Sequence, residues 1–473
     1  MSSGSHNKNT DAEGKRFSPS AYKIEHITMR NHRGEPKNIE NIVVKFSITE
    51  SLYSPTCILS LSIKDSVNFF ESFPCIGQET VTIQLGYKEH ESGIEKSLNM
   101  KFFVVEYPTY GRAPKNNHVQ VYRLRGISEQ AYISSHKKIS RSYSYSKTTD
   151  IIQNILERDC NLTLDEIAVS GDSESKIKWN CPYMTPFSAL EYLRSRSYDT
   201  NQSPYYLFQS VNGKMNLISH SAMTQALYGA DGAVPSPVYQ TYFDARQFSS
   251  DPSTTKDYAE RATRIIECSS NIKLAKVEQS RLGAFTSENY SLDYTNKSYT
   301  QSIFTLDQNT LENTVNKQSV ISDKFTFSDG VNTPTKTPLE FTSAHCEYIP
   351  INSGAFIDDL DTTAEETGAT YTDLSEKALS SINSYRALAN NTTHDILLHG
   401  DLGLNPGKKV QLQFPKALDP EQLKEYLETD EFDVYDKALS GKYFIATVEH
   451  RFQAGEYYCN CRVKRDSMSL ELS

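Results

Sequence analysis

The side chains of this 473-residue sequence that could do chemistry are scattered, and their spacing defeats most of what they could do together. His394 and His399 stand five apart in a strand-like stretch, which puts them on opposite faces and denies them a shared metal ion. Eight cysteines (Cys57, Cys75, Cys160, Cys181, Cys268, Cys346, Cys459 and Cys461) contain no C-x-x-C pair. Cys459 and Cys461 share one face of a strand, which is poor geometry for a mutual disulfide. With no apolar leader ahead of them, the cysteines read as reduced, buried small hydrophobes. No G-x-x-x-x-G-K-[ST], no G-x-G-x-x-G behind a strand, no H-E-x-x-H and no G-x-S-x-G occurs. GADGAV (229–234) is a loop without the flanking elements a phosphate cradle needs. Carboxylate pairs for glycoside cleavage come from distant positions, so 59 acidic residues carry no signal by themselves. The reading assigns no catalytic residue, no metal ligand and no cofactor.

The elements that would have to position any site are mostly strands. NIVVKFSITES (41–51) alternates, with Val44, Phe46 and Ile48 on one side. TCILSLSIKDS sets Leu59, Leu61 and Ile63 opposite Ile58 and Ser60, and ETVTIQLGY sets Val81, Ile83 and Leu85 on one face. KFFVVEY and HVQVYRLRG follow across a breaker-rich connection. Residues 142–239 change character. SKTTDIIQNILERD carries Ile151, Ile152, Ile155 and Leu156 at helical spacing, and Thr185-Pro186 opens a second helix as N-cap and first helical residue. Asn212-Gly213 is the preferred pair for a tight hairpin turn. Residues 219–239 read as linker. Strand-like pieces return in ATRIIECSSNIKL. An amphipathic helix over 372–390 carries Leu374, Ala378, Ile382, Tyr385 and Ala389 on one stripe. HDILLHG, KKVQLQFP, GKYFIATVEHRF and EYYCNCRVKRD close the chain as short strands.

Composition agrees. Aromatics make up 11% of the chain, led by 29 Tyr and 21 Phe, which favours half-buried pleated surfaces. Mean hydropathy is −0.55 and no apolar run of membrane-spanning length exists, so no membrane insertion is expected. A net charge of −10 argues against a nucleic-acid-binding protein, which carries a basic face. The charge is uneven: 417–436 holds eight acids and one Lys, whereas 101–147 is basic. Both read first as solvated surfaces.

One internal echo matters. KFFVVEYPTYG…HVQVYRLRG (from 101) resembles KYFIATVEHRFQAG…EYYCNCRVKR (from 442). Each is preceded by an alternating apolar strand, ETVTIQL and KKVQLQF. Two similar β-units in one chain is the inference; a chance likeness of two hairpins is the alternative.

The C-terminal stretch from His394 onward resembles the hub family of contractile tails: the baseplate hub of T-even phages, late-control-type tail proteins and the hub half of type VI spike proteins. The residues that carry the likeness are Gly400, Asp401, Pro406, Gly407, Gly441, Tyr443 and His450, the last placed by the family pattern in a bend before the closing strand. Ile63-Lys64-Asp65 and the turn Ile76-Gly77-Gln78-Glu79 resemble the first domain of such hubs. The acidic stretch departs from the pattern. The resemblance implies an α+β, mainly β fold: two tube-like antiparallel β-barrel domains with α/β insertion domains. Its expected divisions are a disordered arm (1–19), a first tube-like domain (20–141), a small α/β domain (142–239), a second tube-like domain (240–296 with 388–468), and an insertion (297–387) ending in the amphipathic helix.

The resemblance also implies a function: a homotrimer whose six similar domains form a ring, matching a sixfold tail tube to a threefold spike. The partners would be a separate spike protein, a tube or tube-initiator protein and baseplate wedge proteins, with DNA only in transit. The place would be the virion tail, assembled in the host cytoplasm. Gly77, Glu79, Gly400, Asp401, Pro406, Gly407, Gly441, Tyr443 and His450 are expected in structural turns and interface strands. His450 reads as a hydrogen-bonded packing residue. The competing reading is a tail-associated cell-wall hydrolase with its cleft in 142–239; a receptor-binding tail protein lacks the repetitive stalk it needs.

Overall fold

The computed structural model describes, within 22–468, all residues except 89–94, 114–115, 226–237, 241–262, 273–274, 294–296, 307, 318–320, 323, 329, 332–333, 341–344, 352–370, 391, 417–434 and 454. The arm expected over 1–19 and nearly all of the acidic stretch lie outside the described residues.

The alternating N-terminal segments form β1 (Tyr22–Arg30), β2 (Pro36–Asn38), β3 (Val43–Ser51), β4 (Ser54–Asp65), β5 (Thr80–Lys88), β6 (Glu95–Ala113) and β7 (Asn116–Ser128). They lie in the order β3-β4-β7-β6-β5-β1-β2, every pair antiparallel. Period-2 patterning decides the inward face. Phe46 and Ile48, then Leu59, Leu61 and Ile63, then Val81, Ile83 and Leu85 are all buried.

Next come α1 (Phe69–Ser72, between β4 and β5) and then α2 (Glu129–His136), β8 (Ser142–Lys147), α3 (Thr148–Cys160), β9 (Ile167–Ser170), β10 (Lys176–Asn180), α4 (Pro186–Arg194), β11 (Tyr205–Gln209), β12 (Met215–Ser219) and α5 (His220–Gln225). Here α3 and α4 bury their apolar stripes on the sheet β11-β12-β9. Thr185 caps α4 by accepting the Ser188 N–H at 3.3 Å. Two expectations change. Asn212-Gly213 does not make a two-residue turn. The Gly213 N–H donates to Ser210 O (2.9 Å), Gly213 takes φ +84°, and Ser210 N–H donates to Lys214 O (3.0 Å). This is a longer turn closed by a left-handed glycine, and Val211 on its tip is buried in the core of the large sheet. The linker expected from residue 219 begins instead with helix α5, because His220 and Met223 are drawn inside.

The remainder forms β13 (Val238–Gln240), β14 (Ile265–Ile272), α6 (Lys276–Arg281), β15 (Thr286–Asp293), β16 (Ser298–Thr305), α7 (Gln308–Glu312), β17 (Cys346–Ile351), α8 (Tyr371–Leu388), β18 (Thr392–His399), β19 (Lys409–Gln413), β20 (Gly441–Gln453) and β21 (Glu456–Arg465). The expected helix over 372–390 is α8, with Ile382 and Tyr385 buried. β15 departs from the expectation for 240–296: it pairs with β16 and β17 in a separate three-stranded sheet, not with β14's neighbours. Its buried positions are polar (Thr286, Ser287, Asn289, Ser291), and Asn289 bonds Ser380 of α8, so periodicity of apolar residues could not place it.

The chain is thus mostly β, dominated by one large, nearly all-antiparallel sheet ordered β14-β18-β21-β20-β3-β4-β7-β6-β5-β1-β2, with β19 and β13 branching from β20. A single hydrophobic core runs beneath both halves, from Ile27 and Leu61 to Val448 and Val463. Among the described residues no helix is long and apolar enough to cross a membrane.

Candidate functional site

The large sheet contains the same strand order twice. The first unit reads β3-β4-β7-β6-β5-β1; the second reads β14-β18-β21-β20-β19-β13. All corresponding pairs are antiparallel except the last, where β13 runs parallel to β19 and β1 antiparallel to β5. Irregularities recur too. The β3–β4 register slips between Val43 and Lys45, and the β14–β18 register slips at the matching point, between Ile265 and Glu267. The β6–β7 register slips between Val104 and Glu106, and β20–β21 between Ile445 and Thr447. The Val104 N–H donates to Glu79 O (2.9 Å) as the Ile445 N–H donates to Lys408 O (3.0 Å). A β-bulge is a placed feature, so two shared bulges tie the units far more closely than strand count does. In this register Lys101-Phe102-Phe103 match Lys442-Tyr443-Phe444, the residues of the sequence echo.

The units meet at a seam. β20 is long enough to serve two partners on one side: Gly441–Phe444 pair with β19, and Thr447–Gln453 pair with β3. The handover falls at the bulge residue Ala446, whose carbonyl accepts the Leu52 N–H at 2.8 Å. Phe46 stacks on Phe452 across the seam (centroids 4.4 Å apart), and Phe452 stacks on Tyr457 (4.3 Å). Beside these rings, wholly buried, His450 Nε2 lies 2.7 Å from Glu50 Oε1 and Nδ1 lies 2.8 Å from Tyr457 Oη. Burial works against the charged imidazole, but Cys459 (Sγ 3.4 Å from Nδ1) and the Glu50 carboxylate outweigh it and push His450 up to about 10. Burial raises Glu50 above the ordinary carboxyl range, while the His450 bond and charge and the Val211 backbone pull it back. The seam therefore holds on to protons.

The residues singled out from the sequence fall into three places. Glu79 is buried and gathers its own turn, accepting the N–H groups of Ile76 (2.5 Å) and Gly77 (3.0 Å) and the Tyr107 hydroxyl (2.7 Å). Gly400 and Asp401 stand against β21: the Gly400 N–H donates to Tyr457 O at 2.9 Å, and Asp401 Oδ1 accepts the Gly403 N–H at 2.8 Å. Pro406 and Gly407 lead into β19, with the Gly407 N–H on Ile445 O at 2.8 Å, and Gly441 opens β20 opposite Leu412. Gly407 takes φ +82° with room for a methyl group, so conformation alone demands glycine there. Gly407→Ala is expected to cost about 1–2 kcal/mol in denaturant unfolding, the strain of a left-handed L-residue. Tyr443 is buried, donates to Leu439 O (2.6 Å) and lies under the Arg465 guanidinium.

His450 is a correction. It stands within β20, opposite Ile48 and Cys459, not in a bend; the strand must continue past it to reach β3. His394 is buried between Ser270 Oγ (2.8 Å) and Tyr443 Oη (3.2 Å), where burial lowers it to about 4. Glu50 went unrecognised in the sequence. Its signal was there: an acid in the inward register of Phe46 and Ile48, which demands a buried partner.

Elsewhere the buried acids are spent on local bonds. In the α/β block Asp159 holds Arg141 through two bonds (2.7 and 2.9 Å) and Lys137 at 2.6 Å. Asp199 accepts the N–H groups of Asn201 (3.0 Å) and Ser203 (2.9 Å) and the hydroxyls of Ser203 and Ser221. Among the described residues no group of three or more His, Cys, Asp or Glu could hold a metal ion.

No family model matches this sequence, and no curated protein matches it. Among solved structures the chain is similar to a tail protein from Neisseria meningitidis MC58 (10% identity, 94% of this chain and 97% of that one, TM-score 0.48). It is similar to the 43 kDa tail protein of prophage MuSo2 from Shewanella oneidensis (11% identity, 94% and 99%, TM-score 0.48). A prophage tail protein from Listeria monocytogenes EGD-e aligns at 8% identity over 93% and 94%, with a TM-score of 0.42.

Proposed function

We propose that this chain is the structural hub of a contractile tail, a homotrimer that joins a sixfold tail tube to a threefold spike and leaves a channel for DNA. The observation that carries the reading is the repeated strand order with its repeated bulges, joined edge to edge by the β3–β20 seam. A chain with two like units side by side can sit in a ring with half as many subunits as units, which is what a three-to-six adapter needs. In this reading each unit is one tube-like domain, the α/β block and the β15-β16-β17 sheet are insertions, and Gly77, Glu79, Gly400, Asp401, Pro406, Gly407, Gly441, Tyr443 and His450 shape the turns and strands of the ring. The spike, the tube or its initiator and the wedge proteins are its partners, and the virion tail its place. Three copies carry about −30 in charge, which keeps DNA from sticking as it passes. The protein acts by assembly, not by catalysis: the buried acids of the α/β block, where a wall hydrolase would have its cleft, are committed to Arg141, Lys137 and neighbouring hydroxyls.

Class averages by electron microscopy of the purified protein, alone and with the co-expressed spike, test this. Threefold rings with a central channel and six lobes are the expected outcome. Lobed monomers in both samples, or clearing of purified cell wall by the protein, would overturn it.

A further inference from the structure

The short helix α6 divides its charges between two cavities. Glu278, Gln279 and Leu282 line a polar one that also holds Asp395 and Arg462. Lys276, Val277, Ser280 and Arg281 line a second, of about 820 Å³. The walls of the second are almost wholly apolar: Val277, Phe285, Ile321, Phe325, Phe327 and Pro338. Phe285, fully buried ahead of β15, is its floor. Phe325 and Phe327 stand two apart, with ring centroids separated by 5.8 Å. Phe327 and Lys336 exchange both backbone hydrogen bonds (3.0 and 2.8 Å), which fixes this wall. Yet Phe325 is 62% exposed and Val277 70%. Large apolar side chains left wet together around a concavity mark a place that an apolar body fills.

The polar groups of this cavity are all able to donate, and none is an acid. Among the described residues Lys276 Nζ has only Gln279 Oε1 (3.4 Å) and the Phe285 ring (5.9 Å to its centroid) for company. Burial lowers Lys276 to about 8, with no carboxylate to offset it. The Arg281 side chain joins no ion pair among the described residues. Ser322 Oγ accepts the Lys324 N–H (3.2 Å), which leaves its hydroxyl proton to donate. A cation drawn partly out of water without a counter-charge is costly, and an anion brought by a ligand removes that cost.

We infer that this cavity binds one small amphiphilic anion, a fatty carboxylate, with its chain against Phe285, Phe325 and Phe327 and its head on Lys276 and Arg281. The inference stands apart from the hub reading and does not need it. The chemistry selects the occupant. An extended peptide would bring an N–H and a C=O at every residue to walls that offer almost no partners. A partner helix needs a long groove, and six residues of α6 make a ridge of only about 9 Å. A lipid surface calls for an exposed basic face, whereas here two cations flank a concave apolar space. The volume lies within the range of about 300–1,000 Å³ usual for a single small ligand.

Isothermal titration of the full-length protein with sodium decanoate, below its micelle concentration, tests the site. One-to-one saturable binding is expected. The paired change Lys276→Met with Arg281→Met should weaken it at least tenfold, and Ser280→Phe, which fills the cavity, should abolish it. Both variants are first matched to the wild type in their melting curves. Decanol and decyltrimethylammonium, which keep the chain and lose the negative head, should each bind at least tenfold more weakly than decanoate. Absence of saturable decanoate binding by the wild type overturns the inference. Binding that neither variant alters is adsorption elsewhere on the surface and overturns it too. Decanol binding as tightly as decanoate overturns the role of the two cations. Cosedimentation with phosphatidylglycerol vesicles that decanoate displaces overturns a free ligand in favour of a membrane lipid.

Discussion

His450→Ala is expected to be among the most damaging single changes in the chain, costing about 3–5 kcal/mol, because it leaves the Glu50 carboxyl alone in a dry seam. Among the described residues Glu50 Oε2 has no side-chain hydrogen-bond partner, and the Val211 backbone is the one other group that eases the carboxylate's charge, so little takes up the loss. Glu50→Gln should cost less, since an amide keeps the shape and can still bond the imidazole. Urea melts of both variants and of the double variant measure the coupling; an additive cycle would show that the pair does not hold the seam. The pair also fixes a pH dependence. His450 is raised to about 10 in the folded chain from an ordinary value near 6.5, and Glu50 is raised as well. Folded protein thus binds these protons more tightly than unfolded protein; the His450 contribution is complete below about 6.5 and falls as pH rises toward and through about 10, while that of Glu50 has the same sign and is complete only below its ordinary value of 4.5. The slope is at most about 1.4 kcal/mol per pH unit for one proton. Stability of the wild type relative to a His450→Phe variant should therefore decline across that window. A difference that is flat from pH 6 to 10 would rule out a protonated His450.

Gly400→Ala is the second large effect. A Cβ at Gly400 would sit 2.1 Å from Cδ1 and Cγ of the Tyr457 ring, the part of the side chain nearest its backbone. Tyr457 cannot swing away: it stacks on Phe452, bonds His450 through its hydroxyl, and is buried. Overpacking commonly costs 1–3 kcal/mol; with this ring pinned on three sides we expect about 3 kcal/mol or more, seen as a fall in melting temperature or as insoluble protein. Adding Tyr457→Leu to Gly400→Ala should restore part of the loss. If Gly400→Ala melts with the wild type, the loop at 400 is looser than the Gly400–Tyr457 bond requires.

Much of the β framework was legible because period-2 alternation directly encodes a half-buried strand. The inward residues of β3, β4 and β5 follow from spacing alone. The echo between 101 and 442 was legible for the same reason: Lys-Phe-Phe and Lys-Tyr-Phe stand at equivalent positions. What hid was non-local. The seam joins strands nearly 400 positions apart, and no local pattern says that β20 changes partner at Ala446. Polar-lined elements hid too. β15 buries Thr, Ser and Asn, so no apolar alternation separated it from the second β-unit; α5 buries His220 against Asp466 (2.7 Å), and so read as linker. The turns at 400, 406 and 441 came from a family pattern; alone, a glycine does not say whether it serves φ, as at 407, or space, as at 400.

The acid and imidazole buried at the β3–β20 seam have a further consequence. A protein built from two like halves risks mispairing, since either free edge resembles the other. At the position of Glu50 the other unit has Ile272, and at that of His450 it has Tyr110. An edge carrying Glu50 meets the imidazole of His450 on β20; at the corresponding position β6 carries a tyrosine and no histidine. The buried pair thereby keys β3 to its own C-terminal strand and not to the like edge of the other unit.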